Sequence, residues 1–204
     1  MSHTLFVRST FSNARAWAFL TQVDAAEAQR CRSRGCPHCG AVLHSATYPR
    51  KPHGLAPELR DDARRFSLCC ADCRRRVKPP SSRFFGRRFR VAPLFVVVNA
   101  LALAGGARLE AIARQWRIPV LTLRRWRRWW RESFPATRAW RWKRGELAVP
   151  SGEAPLCCVL RRIRGRSVRS RLLRTLIWLL PWTGDCALGA GPARSAESGS
   201  SRHR

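Results

Sequence analysis

Apolar residues recur at helical spacing most regularly in the middle of the chain. Leu109, Ile112, Ala113 and Trp116 form one stripe. After Ile118-Pro119 a second runs through Val120, Leu123, Trp126, Trp130 and Phe134. At about 100° per residue the second set falls within about 60° of Leu123. The spacing predicts two short helices joined by a tight turn over residues 109–130, closed by Pro135. Leu121, Thr122, Arg124, Arg125, Arg128 and Trp129 lie on the opposite side of the second helix. Arg127 falls near the buried edge, where a guanidinium has to snorkel. Arg117 stands where such turns commonly hold glycine, so either the turn differs or Arg117 takes a positive φ.

Outside this stretch the pattern is less even. Pro93 suits the first turn of a helix over residues 94–104, stopped by Gly105-Gly106. Residues 171–182, RLLRTLIWLLPW, predict a helix with Leu172, Leu173, Leu176, Ile177 and Leu180 on one broad face. That face suits core packing, or a protein partner docked along Arg171 to Trp182. Residues 1–30 carry only marginal helical signals, at 14–20 and 23–29, and read as a loosely held N-terminal extension. Residues 31–82 lose the helical period. Short strands are expected at 41–44, 65–69 and 75–78, with a proline-rich loop over 48–59. Residues 83–92 read as a basic linker, 93–134 as a helical domain, 135–183 as a connector and C-terminal helix, and 184–204 as a disordered tail.

Charge narrows the function. Lys and Arg number 40 against 12 acids, a formal net charge of +28 over 204 residues. Only Lys51, Lys78 and Lys143 are lysine, and arginine binds phosphate bidentately and stacks on aromatics. A polyanion follows, with nucleic acid the favoured partner. The apolar run at 93–104 is well short of the roughly 20 residues needed to span a bilayer, so no membrane role is expected. Arg8, Asn13 and Arg15 interrupt the start, which argues against a signal peptide, and a cytoplasmic, nucleoid-associated location is expected.

Nine cysteines include two pairs at CxxC spacing. Cys36-Pro37-His38-Cys39-Gly40 has the form of a zinc knuckle, in which Gly40 supplies the positive φ of the turn. Cys70-Ala71-Asp72-Cys73 repeats it, although a Cys69–Cys73 pairing stays open. Four thiolates would close a structural Zn²⁺ site with no open position for water. His38 is expected to face solvent, and Cys31, Cys157, Cys158 and Cys186 have no partner spacing. The predicted fold class is a small α+β protein: a zinc ribbon of short β-hairpins, then an all-α helix-turn-helix domain, with disordered termini.

Three segments, CPHCG with YPRKPHG, RFSLCCADCRRRVKPPSSRFFGRR, and LEAIARQWRIPVLTLRRWRRWW, resemble bacterial insertion-sequence proteins that pair a transposase-type zinc ribbon with a helix-turn-helix. The resemblance covers roughly residues 36–134. It implies that Cys36, Cys39, Cys70 and Cys73 hold zinc, that Thr122, Arg124, Arg125 and Arg128 face DNA, and that the chain acts on mobile elements. Trp129 and Arg131 on the same helix, and Arg83, Arg87 and Arg88 in the linker, complete the expected contacts with double-stranded DNA. A transposase of the usual type needs three carboxylates on a ribonuclease-H-like sheet to hold two metal ions. The acids here fall in loops, helix starts or the tail, so no enzyme is expected. The alternatives are an RNA- or ribosome-associated basic zinc-ribbon module, and an accessory subunit for a separate transposase.

Overall fold

The computed structural model describes residues 13–51, 57–60, 63–85, 92–103, 109–147 and 155–184. It is a small α+β fold in which short antiparallel strands carry one end and helices the rest.

The first helix, α1, runs unbroken over Ala14–Arg34. The Asn13 side chain caps it by accepting from the Ala16 amide at 2.9 Å, and Gly35 ends it at φ 76°. Its buried residues include Trp17, Leu20, Asp24, Ala28 and Cys31, one stripe at three- and four-residue spacing. The expected loose extension is thus replaced by a strut about 30 Å long. Trp17 and Leu20 pack into the main core, and Cys31 packs into a second, smaller one. The stripe escaped the sequence reading because an aspartate sits at its centre.

Among the described residues five short strands follow: β1 Leu43–Ser45, β2 Tyr48–Pro49, β3 Arg64–Arg65, β4 Leu68–Cys70 and β5 Arg76–Val77. The sheet order is β1-β4-β5, with Leu43 opposite Cys70 and Leu68 opposite Val77. β2 pairs with β3, so the expected loop at residue 48 begins as strand. Leu43, Leu68, Cys70 and Val77 point inwards with Cys31 and Cys36, a core too small to hold its fold by burial alone.

The helical part is α2 Ala92–Leu103, α3 Leu109–Trp116, α4 Val120–Arg128, α5 Arg138–Lys143, α6 Pro155–Arg162 and α7 Val168–Trp178. α2 lies at the centre, packed against α3, α4, α6 and α7. Its one buried polar side chain, Asn99, donates back to the Phe95 carbonyl at 2.6 Å. α3 and α4 are joined by Arg117-Ile118-Pro119, with Arg117 at φ 49°. Arg117 thus takes the strained conformation itself. α7 starts earlier than expected, behind a Ser167/Ser170 capping box, and Pro181 lies in a closing 3-10 turn, Leu180–Trp182. Leu172, Leu176, Leu179 and Leu180 are buried, so this apolar face is used in the chain's own core, with Ile177 left partly exposed.

The two parts are joined by a buried polar hub. Asp24 of α1 is 1% exposed and accepts from the Ser82 amide at 2.6 Å, the Ser82 hydroxyl at 2.8 Å, the Ser81 hydroxyl and Arg83 Nε at 2.9 Å. Arg83 Nη2 also donates to the Arg64 carbonyl at 2.9 Å. Arg65 Nη2 donates to the carbonyls of Pro79 and Thr183, and the Ser81 amide donates to Thr183 Oγ1 at 2.7 Å. Residues 81–85, expected to straddle the end of the ribbon and a linker, are entirely buried.

Removing one partner of a buried, hydrogen-bonded ion pair strands the other, so Asp24→Ala is expected to lower unfolding free energy by about 3–5 kcal/mol. Urea denaturation followed by circular dichroism checks this, and a loss no larger than an ordinary surface substitution would rule out the hub as a structural keystone.

Candidate functional site

The two CxxC segments form facing turns. In the first, the Cys36 amide donates to the Ala41 carbonyl and the Gly40 amide to the Cys36 carbonyl, both at 2.8 Å. Gly40 takes φ 77°. In the second, the Cys70 amide donates to the Arg75 carbonyl at 3.0 Å, and Arg74 occupies the position equivalent to Gly40 with φ 58°. A glycine was legible in one turn; the other imposes the same backbone on an arginine. Strand pairing of β1 with β4 sets the turns against each other.

The sulfurs of Cys36, Cys39, Cys70 and Cys73 all lie within 4.8 Å of one another. Across the turns, Cys36 Sγ is 3.6 Å from Cys73 Sγ and Cys39 Sγ is 3.4 Å from Cys70 Sγ. Metal–sulfur bonds of about 2.3 Å in a tetrahedron separate sulfurs by about 3.8 Å, so the set fits a four-thiolate ion. It is far from disulfide contact, which needs about 2.05 Å. The cluster can hold a metal ion, and it selects Cys70. Cys69 lies outside it, with its sulfur near the carbonyls of Cys70 and Arg74.

The two thiols of the second turn are shifted in opposite directions. Burial pushes the Cys70 thiol up, but the Cys73 and Asp72 amides and the Cys39 and Cys73 thiols outweigh it and bring it down to about 7. The Arg75 amide lowers Cys73, yet burial and the Cys70, Cys36 and Cys39 sulfurs drive it up to about 12. Cys73 is thus held in its thiol form, and a bound dication would displace that proton. His38 is exposed, as expected, with Nδ1 3.3 Å from Arg75 Nη1 across the two turns. Exposed Arg32, Arg34, Arg74, Arg75 and Arg76 belong to the segments that carry the cluster.

On α4 the wheel separates the residues largely as expected. Leu123, Trp126, Trp130 and Phe134 are buried. Arg124, Arg125, Arg128 and Arg131 are exposed, Thr122 is half-buried at the first turn, and Leu121 is 65% exposed beside them. Arg124 approaches Glu110 at 3.9 Å, a solvent-exposed pair worth little. Arg127 is half-buried, in keeping with its place at the edge.

Trp129 is corrected. The helix widens into a π-turn over Trp129–Ser133, closed by the Phe134 amide to the Trp129 carbonyl at 2.8 Å. Trp129 itself keeps the α-helical step, its amide donating to the Arg125 carbonyl, and its ring lies 4.8 Å from Trp130 and 5.6 Å from Phe85. A helical wheel cannot show that Phe85 and Phe95 arrive from other segments to cover this ring. Trp129 is half-buried in the aromatic cluster, not presented on the arginine face.

Arg83 is corrected as well. It is 1% exposed, bonded to Asp24 and Arg64, with its guanidinium 5.2–5.5 Å from the rings of Trp17, Phe66 and Phe84. A phosphate contact needs a side chain that reaches solvent, so Arg83 is structural. Arg87 and Arg88 lie outside the described residues. Sequence reasoning also passed over Trp142, which is 73% exposed. No helix among the described residues is long and apolar enough to cross a membrane.

Compared with known proteins, the chain matches no family model, no curated protein and no solved structure.

Cys36→Ser, Cys39→Ser, Cys70→Ser or Cys73→Ser is expected to abolish binding of a single metal ion per chain, whereas Cys69→Ser keeps it. Elemental analysis of the purified variants reads this directly. Protons compete with the metal for thiolate, so affinity falls as pH falls, and acid titration should release the ion together with loss of structure around the short strands. Retention of metal in all four variants would refute the assigned ligand set.

Proposed function

We propose that the protein is a non-catalytic, zinc-stabilised DNA-binding protein related to the transposases of bacterial mobile elements. α3 and α4 act as a helix-turn-helix, and the cysteine cluster holds structural zinc in a ribbon. The observation that carries this reading is the division of α4, with Leu123 and Trp126 buried on one side and Arg124, Arg125 and Arg128 exposed on the other. A helix held this firmly on one face and free on the other suits insertion into the major groove. Arginine there can pair with guanine O6 and N7, and exposed Leu121 offers apolar contact for a thymine methyl. Thr122 and Arg131 extend the same contact surface.

Four thiolate donors suit zinc, which takes a closed tetrahedral sulfur site without redox chemistry. Its role would be to fold a unit whose own core is too small. Arg32, Arg34, Arg74, Arg75 and Arg76 would then supply a second, sequence-independent hold on phosphates. A nucleoid-associated location follows from duplex binding. The mobile-element role rests on the resemblance of residues 36–134 alone.

Binding of the zinc-loaded protein to a duplex should weaken linearly in log–log form with salt, with a slope of about −0.9 per phosphate neutralised. Arg125→Ala or Arg128→Ala should cost about 1–3 kcal/mol on a preferred sequence and much less on others. Sequencing of DNA retained from a random duplex pool supplies that preferred sequence. An unenriched pool, or equal losses on every sequence, would remove base reading and leave a general phosphate binder. Tighter binding to single-stranded RNA than to duplex DNA would replace the DNA reading with an RNA one.

A further inference from the structure

Trp142 stands apart from the other tryptophans. The chain has nine, and all except Trp142 are buried or half-buried, whereas Trp142 is 73% exposed. A lone exposed aliphatic residue is unremarkable on a protein surface, but a bare indole leaves a large flat apolar face in water.

Its support is rigid. α5 begins at the Thr137 cap, whose hydroxyl accepts from the Trp140 amide at 3.2 Å and from Trp182 Nε1 at 2.8 Å. Ala139 and Trp140 are buried beneath it, with the Trp140 ring 5.2 Å from Phe134. On the next turn Lys143 Nζ sits 5.1 Å from the Trp178 ring centre and 3.5 Å from Glu146, which also accepts from Trp178 Nε1 at 3.0 Å. The helix backbone is thus held on its inner side while Trp142 faces out.

Its surroundings are cationic. Arg138 lies one helical turn before Trp142 on the same face, Arg141 precedes it and Arg144 follows at the helix end. All three arginines are exposed and make no ion pair among the described residues. The acid closest in sequence, Glu146, is committed to Lys143 and Trp178.

We propose that Trp142 is a stacking platform for an unpaired DNA base, with Arg138, Arg141 and Arg144 holding the flanking phosphates. A flat π-face accepts any unpaired base, and neighbouring arginines neutralise the strand that carries it. A base within a duplex is already stacked on both sides, so the platform acts where the duplex ends or opens. The inference rests on the DNA-binding reading above and adds a second contact of different chemistry.

The test uses the full, metal-loaded chain and fluorescence anisotropy with two labelled probes: a blunt duplex, and the same duplex carrying a single-stranded thymidine tail. Unaltered protein should bind the tailed probe about tenfold more tightly than the blunt one. Trp142→Ala should erase that difference while leaving blunt-duplex affinity and the circular dichroism spectrum unchanged, and Trp142→Phe should keep part of it. Failure of blunt-duplex binding in the unaltered protein overturns the DNA-binding reading. Absence of a tail preference, or equal loss on both probes with Trp142→Ala, overturns the stacking role. A uridine-tailed RNA strand competing better than the thymidine tail overturns the assignment to DNA.

Discussion

Asp24 carries a negative charge into a place with 1% exposure, in a protein with few acids to spare. An uncompensated carboxylate there would cost several kcal/mol. It is compensated by the side chain of Arg83 and by Ser81 and Ser82, all from a segment 57 to 59 positions further along the chain. Every one of these groups needs the others, because an arginine buried among three aromatic rings is as costly to strand as the aspartate. The strands therefore cannot leave the helices without opening a paired charge to an apolar interior. Arg65 adds a second tie by gripping the carbonyls of Pro79 and Thr183, which brings the end of the helical part back onto the strand part.

That constraint changes how the two candidate surfaces relate. α1 runs from the aromatic core past the hub to Cys31, four residues before its Gly35 cap and five before the first cluster ligand, Cys36. The cysteine cluster and the arginine face of α4 are thus parts of one body. In the proposed function this fixes the spacing of two contacts on one polyanion, which limits the entropy lost when both engage. The arginine of the hub belongs to the scaffold, whereas Arg124, Arg125 and Arg128 lie on the surface.

Much of the candidate site was legible in one dimension. Two CxxC pairs with Gly40 announce two turns that can face a shared ion, because sulfur geometry and positive φ are local demands. The choice of Cys70 over Cys69 was decided by the register of β4 against β1, which puts Cys70 inside and Cys69 outside. Likewise the wheel of α4 is local, and its buried side came out as expected at Leu123, Trp126, Trp130 and Phe134. Trp129 was misplaced because Phe85 and Phe95, from other segments, arrive beside its ring, and no wheel shows which distant side chains cover a face.

By itself, the sequence determined what nearest-neighbour geometry controls: the paired cysteine turns, the phase of α3 and α4, the proline and glycine stops, and the excess of positive charge. Tertiary structure alone decided the fate of residues whose chemistry points one way and whose surroundings point the other. Arg83 reads as a phosphate contact and is a buried partner of Asp24. Asp24, an acid in a strongly basic chain, is the centre of α1's buried stripe. Trp142 lies in the expected connector, and its large apolar ring faces solvent. The physical reason is common to all three: burial depends on which distant segments arrive alongside, and polar groups are taken inside only when those segments bring matching donors or acceptors.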